Sequence, residues 1–166
     1  MKVKTITRYI MLLLVSVSFA GSLSAQTSKR DKKAEKAAIT KAAIEAQRYT
    51  FRAQSTTPTG GRFMQLTTPY TVKVGKDTVA SDLPYFGRAY SAPIDPTKGG
   101  IQFTSTNFDY KTEAIKNGWR VTIKPTDAGD VQQFYFSLFN NGSASLQVIS
   151  TNRQPITFNG VVEARK

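Results

Sequence analysis

Residues 108–125 read FDYKTEAIKNGWRVTIKP. Asn117-Gly118 is the strongest kind of short hairpin signal, because a type I′ turn needs positive φ at both central residues. Centring the turn on that pair sets Lys116 opposite Trp119. Period-two alternation then places Phe108, Tyr110, Ala114, Trp119, Val121 and Ile123 on one face. Asp109, Lys111, Glu113, Arg120, Thr122 and Lys124 take the other. An apolar face backed by a charged one describes an antiparallel pair that covers a core from one side and meets water on the other.

The pattern extends in both directions. Upstream, Ile101 and Phe103 have the opposite parity from Phe108 and Tyr110, so a β-bulge or strand break is expected at Ser105-Thr106-Asn107. Downstream, a second hairpin is expected to turn at Asn141-Gly142 between residues 131–140 and 143–151. A two-residue turn there puts Phe134, Phe136, Leu138 and Ile149 on one side and Tyr135, Phe139, Leu146 and Val148 on the other. With both faces apolar, these strands should be central or covered on both sides. Tyr49, Phe51 and Ala53 alternate, as do Tyr70, Val72 and Val74. A Thr-Pro-Thr-Gly-Gly cluster at 57–61 and Gly75-Lys76-Asp77 read as turns, with short strands at 62–67 and 78–83 and a last strand at 156–164. The chain is therefore expected to be mainly β, an antiparallel barrel-like or sandwich sheet of about eight strands with one N-terminal α-helix.

That helix is expected over residues 28–48, rich in Ala, Lys and Glu, with a narrow stripe through Ala34, Ala37, Ala38, Lys41 and Ile44. Before it, Lys2, Lys4 and Arg8 precede an apolar run from Ile10 to Ala20, followed by Leu23-Ser24-Ala25. This is the pattern of a cleaved export signal, too short to span a bilayer comfortably. The expected organisation is a signal peptide at 1–25, a basic linker and helix at 26–46, and an antiparallel β domain at 47–166. The mature protein is expected in the periplasm or secreted, near a membrane but not spanning it. No cysteine follows the apolar run, which argues against a lipid anchor.

The chain carries a net charge of +12, and +9 once the three cations of the leader are removed. Seven of the lysines and arginines crowd residues 29–48. Such a run solvates an exposed helix, and it also favours an anionic envelope partner. Nucleic acid is not expected as a partner of an exported protein. The chain has neither cysteine nor histidine. That removes Ser-His-Asp and Cys-His catalysis in their usual form and histidine-bound zinc or copper. No phosphate-cradling glycine loop opens a helix, and no cofactor is expected.

The longest irregular connection is DLPYFGRAYSAPIDPTKGG, residues 82–100. Its Tyr85, Phe86, Arg88 and Tyr90 are the candidate binding residues. Aromatic rings supply rigid contact area, and a guanidinium grips a carboxylate or phosphate through two donors. The competing reading is a plug over the core, with Arg88 bonded to backbone carbonyls. Asp82 and Asp95 flank the loop and are the one carboxylate pair suited to a glycan hydrolase, although aspartates in loops commonly cap turns.

Several runs resemble hallmarks of a family of exported Bacteroidota proteins, domain of unknown function 4251. They are Leu83-Pro84-Tyr85-Phe86-Gly87-Arg88-Ala89-Tyr90-Ser91-Ala92-Pro93, Gly100-Ile101-Gln102-Phe103, Gly118-Trp119-Arg120-Val121-Thr122-Ile123-Lys124-Pro125 and Arg153-Gln154-Pro155-Ile156-Thr157-Phe158-Asn159-Gly160. The resemblance covers roughly residues 45–163. It implies export and carries no catalytic residue with it. It further implies that Asp77-Thr78-Val79 fits a three-residue glycan-attachment pattern, with Thr78 the acceptor. An intact mass equal to the bare mature chain, for protein from its native host, excludes that modification. The expected function is a non-catalytic binding or interaction domain of the cell envelope. The alternatives are a carboxylate-dependent glycan hydrolase and a structural envelope protein.

Overall fold

The structure is a computed structural model, and it describes residues 21–90 and 99–165. The chain divides into two compact units, residues 1–35 and 36–166. Among the described residues one helix, α1 (Gly21–Glu45), precedes nine strands: β1 (Tyr49–Pro58), β2 (Met64–Val74), β3 (Val79–Leu83), β4 (Ile101–Ser105), β5 (Phe108–Ile115), β6 (Gly118–Pro125), β7 (Val131–Phe139), β8 (Ser143–Ser150) and β9 (Ile156–Ala164). They form one antiparallel sheet in the order β4-β3-β2-β1-β9-β8-β7-β6-β5, curled into a nearly closed barrel.

The two edges of this sheet, β4 and β5, are consecutive in the chain. Every neighbouring pair is antiparallel, so strands an even number of steps apart run in the same direction. Residues 101–115 are therefore in effect one strand, broken at Thr106-Asn107. Its first half pairs with β3 and its second half with β6. The parity change at residues 105–107 is this break. It lets Ile101 and Phe108 both face the interior although they are an odd number of residues apart.

The break is held by the β6–β7 connection. The Asp127 carboxylate accepts from the Ser105 hydroxyl and, at 3.1 Å, from the Thr106 N–H. The Thr126 N–H and hydroxyl both donate to the Asn107 carbonyl, at 2.9 and 3.0 Å. The Ser105 bond, then the Thr106 amide, hold the Asp127 carboxyl below its ordinary value of 3.8. A carboxylate with a depressed folded-state pKa stabilises above its unfolded value, and that stabilisation is lost as pH falls through the lower folded value. Asp127→Asn should therefore unfold more readily than the parent at pH 7 in urea titrations. The gap should narrow as pH falls below 3.8 and the Asp127 carboxyl is protonated first in the unfolded and then in the folded state; a gap constant with pH refutes the assignment.

Inside the barrel, Phe51, Phe134, Phe136 and Phe158 are fully buried. Phe136 meets Tyr49, Phe51 and Phe134 edge-on, with centroids 6.3, 5.7 and 6.1 Å apart. Phe103 of β4 reaches Phe134 of β7 at 5.5 Å, so the interior is continuous at the place where the backbone ladder is not. At the barrel end where β1 begins, Ala43 and Ile44 of α1 enter the core. The helix stops in a Schellman arrangement: Arg48 N–H donates to Ala43 O at 2.8 Å and Gln47 N–H to Ile44 O at 3.1 Å, with Gln47 at φ 52°. Tyr110 O–H donates to the Ile44 carbonyl at 3.3 Å. Within residues 36–45 burial is confined to Thr40, Ala43 and Ile44, while Ala38 and Lys41 of the expected stripe are exposed. The described helix also reaches further toward the N-terminus than the expected 28–48, covering Gly21–Glu45.

Both hairpins differ in register from the sequence expectation. In β5–β6, Ile115 faces Gly118 and Ala114 faces Trp119, so Lys116 and Asn117 make the turn. Neither Asn117 nor Gly118 has positive φ. Gly118 answers a packing demand instead: a Cβ there would overlap the Leu138 carbonyl oxygen on β7. Trp119 moves by two partner positions, which preserves the faces. In β7–β8 the connection has three residues, Asn140, Asn141 and Gly142, with only Gly142 at positive φ, +81°. The third residue slides one arm by one position and exchanges its faces. Phe134 faces Val148 and Phe136 faces Leu146 inside the barrel, while Tyr135 faces Gln147 outside. The strands are inner members of the sheet, but Tyr135 and Phe139 on the outer face are exposed. Finally, the two expected strands at 62–67 and 70–74 form one, β2, whose register with β1 skips Leu66 to Pro69. The proline, which has no N–H to give, falls in that gap.

Candidate functional site

At the barrel end opposite the start of β1, three connections meet: β1–β2, the segment 84–90 after β3, and β8–β9. Thr59 donates to the Pro155 carbonyl through its hydroxyl at 2.7 Å and its N–H at 3.3 Å. Tyr90 N–H donates to Asn152 O at 2.8 Å and Gln154 N–H to Arg88 O at 3.0 Å, around an isolated bridge between Ala89 and Arg153. The described part of the irregular loop is thus a short ladder against residues 152–154.

Two side chains fix this arrangement. The Tyr85 hydroxyl lies 2.8 Å from Arg88 O and 3.0 Å from Gln154 O, within reach of either carbonyl for its single proton. Burial raises its pKa, against the opposing pull of the Gln154 bond and Arg153. Arg153 is the hub. Its Nε and Nη2 form a fork on the Asp130 carboxylate at 2.8 and 3.3 Å, and its Nη1 donates to Gly100 O at 2.8 Å and Gly99 O at 3.1 Å. The guanidinium carbon also sits 5.2 Å from the centre of the Tyr85 ring. The ion pair is largely withdrawn from water, with Arg153 12% and Asp130 21% exposed.

Beside this frame lies a groove of about 370 Å³ lined by Pro58, Thr59, Gly60, Gly61, Phe86, Gly87, Arg88 and Gln154. Phe86 is 48% and Tyr90 68% exposed, and Phe63, just past the β1–β2 turn, is 64% exposed. The four loop residues singled out in the sequence therefore separate. Tyr85 turns inward and organises backbone; Phe86 and Arg88 line the groove; Tyr90 projects into solvent. Sequence reasoning passed over Thr59, Gly60, Gly61 and Gln154 as groove walls, and Arg153 and Asp130 as its support. A turn cluster gives no sign of which other loop it will meet. Arg153 stood out only as the start of one hallmark run.

Asp82, on β3, accepts from Gln102 Nε2 at 2.9 Å and is not among the groove-lining residues. Asp95 lies outside the described residues, as does the Ile10–Ala20 run. Thr78 is exposed in the β2–β3 turn, where its carbonyl accepts from Gly75 N–H at 2.8 Å. Among the described residues no three His, Cys, Asp or Glu side chains cluster as metal ligands, and no helix is long and apolar enough to cross a membrane.

The chain falls in a defined class. The family of the domain of unknown function DUF4251 matches residues 31–162, and the chain belongs to it. A solved structure similar to this one is that of a DUF4251 family protein from Bacteroides eggerthii, with 19% sequence identity and a TM-score of 0.58. The match covers 79% of this chain and 89% of that one, and supports the fold. No curated protein matches this chain.

Proposed function

We propose that this protein is an exported, non-catalytic binding domain of the cell envelope, in the periplasm or secreted, that holds its partner at the Phe86–Arg88 groove. One observation carries the reading: Phe86 and Tyr90 stand in solvent on a segment that the Tyr85 hydroxyl and the backbone bridge to residues 152–154 tie down. An exposed aromatic on a pinned backbone loses little conformational entropy on contact, which favours binding. The positive charge of the chain favours an anionic partner.

Titrating isotope-labelled protein with solubilised peptidoglycan fragments and with heparin, as a model polyanion, tests this by amide chemical shifts. Changes should centre on residues 59–61, 86–90 and 154 for at least one probe. The double substitution Phe86→Ala, Tyr90→Ala should weaken that binding by roughly tenfold or more, as expected for aromatic anchors. Binding that ignores both substitutions, or shifts confined to other surfaces, refutes the reading.

A further inference from the structure

Strand β5 is an edge with unusual exposure. Among the described residues it pairs with β6 alone, over an unbroken ladder from Phe108 to Ile115 with no bulge and no proline. From Lys111 to Ala114 it is exposed on both faces. A regular strand of this length with one free edge presents a row of unpaired backbone donors and acceptors. Soluble proteins ordinarily shorten, bulge, cover or charge such an edge; β5 is neither bulged nor short, and its charges Asp109, Lys111 and Glu113 alternate in sign, which suits pairing with a copy of itself.

We propose that two copies of this chain associate through this edge, β5 against β5, antiparallel about a two-fold axis at Thr112. Two-fold symmetry between adjacent antiparallel strands requires opposite residues to share a face, so only same-parity pairings are allowed. Charge selects among them. An axis at Lys111 sets Lys111 against its own copy and Asp109 against Glu113. An axis at Glu113 sets Glu113 against its own copy. An axis at Tyr110 pairs Asp109 with Lys111 but runs Glu113 past the end of the partner strand. The axis at Thr112 sets Lys111 opposite Glu113 twice and pairs residues 109–115 along nearly the whole strand. Glu113 is available for this, since its contact with Arg120, at 3.8 Å between two side chains that are each more than half exposed, is weak. The association is independent of the Phe86–Arg88 groove.

The chain has no cysteine, so a single introduced one reports the register directly. Directly opposite residues bring their Cβ atoms to about 4.5–5.5 Å, near disulfide range. Purified Thr112→Cys protein should form a disulfide-linked dimer on mild oxidation, while Lys76→Cys, in the exposed β2–β3 turn, should not. In sedimentation, Lys111→Glu should weaken the dimer by roughly tenfold or more. The charge exchange Lys111→Glu, Glu113→Lys should restore it. All four positions are exposed, so folding is not at risk. A parent protein that stays monomeric at roughly millimolar concentration, a dimer unaffected by Lys111→Glu, or equal cross-linking at residues 76 and 112 overturns the proposal.

Discussion

Gly160→Ala is expected to cost roughly 3 kcal/mol or more of unfolding free energy, and Gly160→Val to leave no folded protein. Gly160 sits on β9 between Ala53 of β1 and Ala144 of β8. A Cβ on it would overlap the Arg52 carbonyl oxygen and come within 3.1 Å of the Ala53 Cα. The colliding atoms are backbone, held in a ladder on both sides, so the strain cannot be relieved by turning a flexible side chain. Beside it, β1 carries a bulge between Ala53 and Ser55, where the strand bends. The glycine lets the neighbouring backbones close on each other at that bend. Gly60 is the control. It lies at φ +71° with nothing within 4 Å of a Cβ, so Gly60→Ala should cost only about 1 kcal/mol, from the left-handed backbone alone. Urea unfolding of the two variants measures the difference directly. A Gly160→Ala protein as stable as Gly60→Ala refutes the close-approach argument.

Arg153→Met should cost roughly 3 kcal/mol and act locally. Removing the guanidinium leaves the Asp130 carboxylate mostly buried without its partner, which for a fully buried pair costs about 3–5 kcal/mol. The residual exposure of both side chains places this pair at the lower end. The Gly99 and Gly100 carbonyls and the face of Tyr85 lose a partner at the same time. Hydrogen exchange should therefore accelerate in residues 84–90 and 99–100 more than in β6 or β7. Adding Asp130→Asn to Arg153→Met should recover part of the loss, because the orphaned charge is then gone. Stability lost evenly along the chain, or no recovery in the double variant, contradicts the role of Arg153 as a local clamp.

Much of the fold is legible in the order of side chains. Alternation found the strands of both hairpins, and the parity of Phe103 against Phe108 located the break before any contact was known. Register was less legible, because Asn-Gly answers more than one demand. At Asn141-Gly142 it serves a three-residue turn, and that single residue decides whether Leu146 or Ile149 faces inward. At Asn117-Gly118 the glycine answers to Leu138, a residue on another strand. The candidate site was legible as a place, since aromatic residues in an irregular segment stand out. Its inner frame was not. Arg153 reaches Asp130, Gly99 and Gly100 only after the sheet has brought β4, β7 and β9 to one end, and no local spacing encodes that meeting.

The broken strand at residues 101–115 also bears on how the chain finds its fold. Read from β5, the sheet order is β5, β6, β7, β8, β9, β1, β2, β3, β4: the sequence order with its two halves exchanged. Each half is a run of neighbouring hairpins, closed by short loops except for residues 84–100 between β3 and β4, and such local units assemble quickly. One ladder alone, Tyr49 against Ala164 through Pro58 against Ile156, joins strands from opposite ends of the β region. The entropic barrier to folding is therefore concentrated in the meeting of β1 with β9. A circular permutant that links the two ends of the β region and opens at Thr106-Asn107 would make that ladder local and leave every strand beside its chain neighbour.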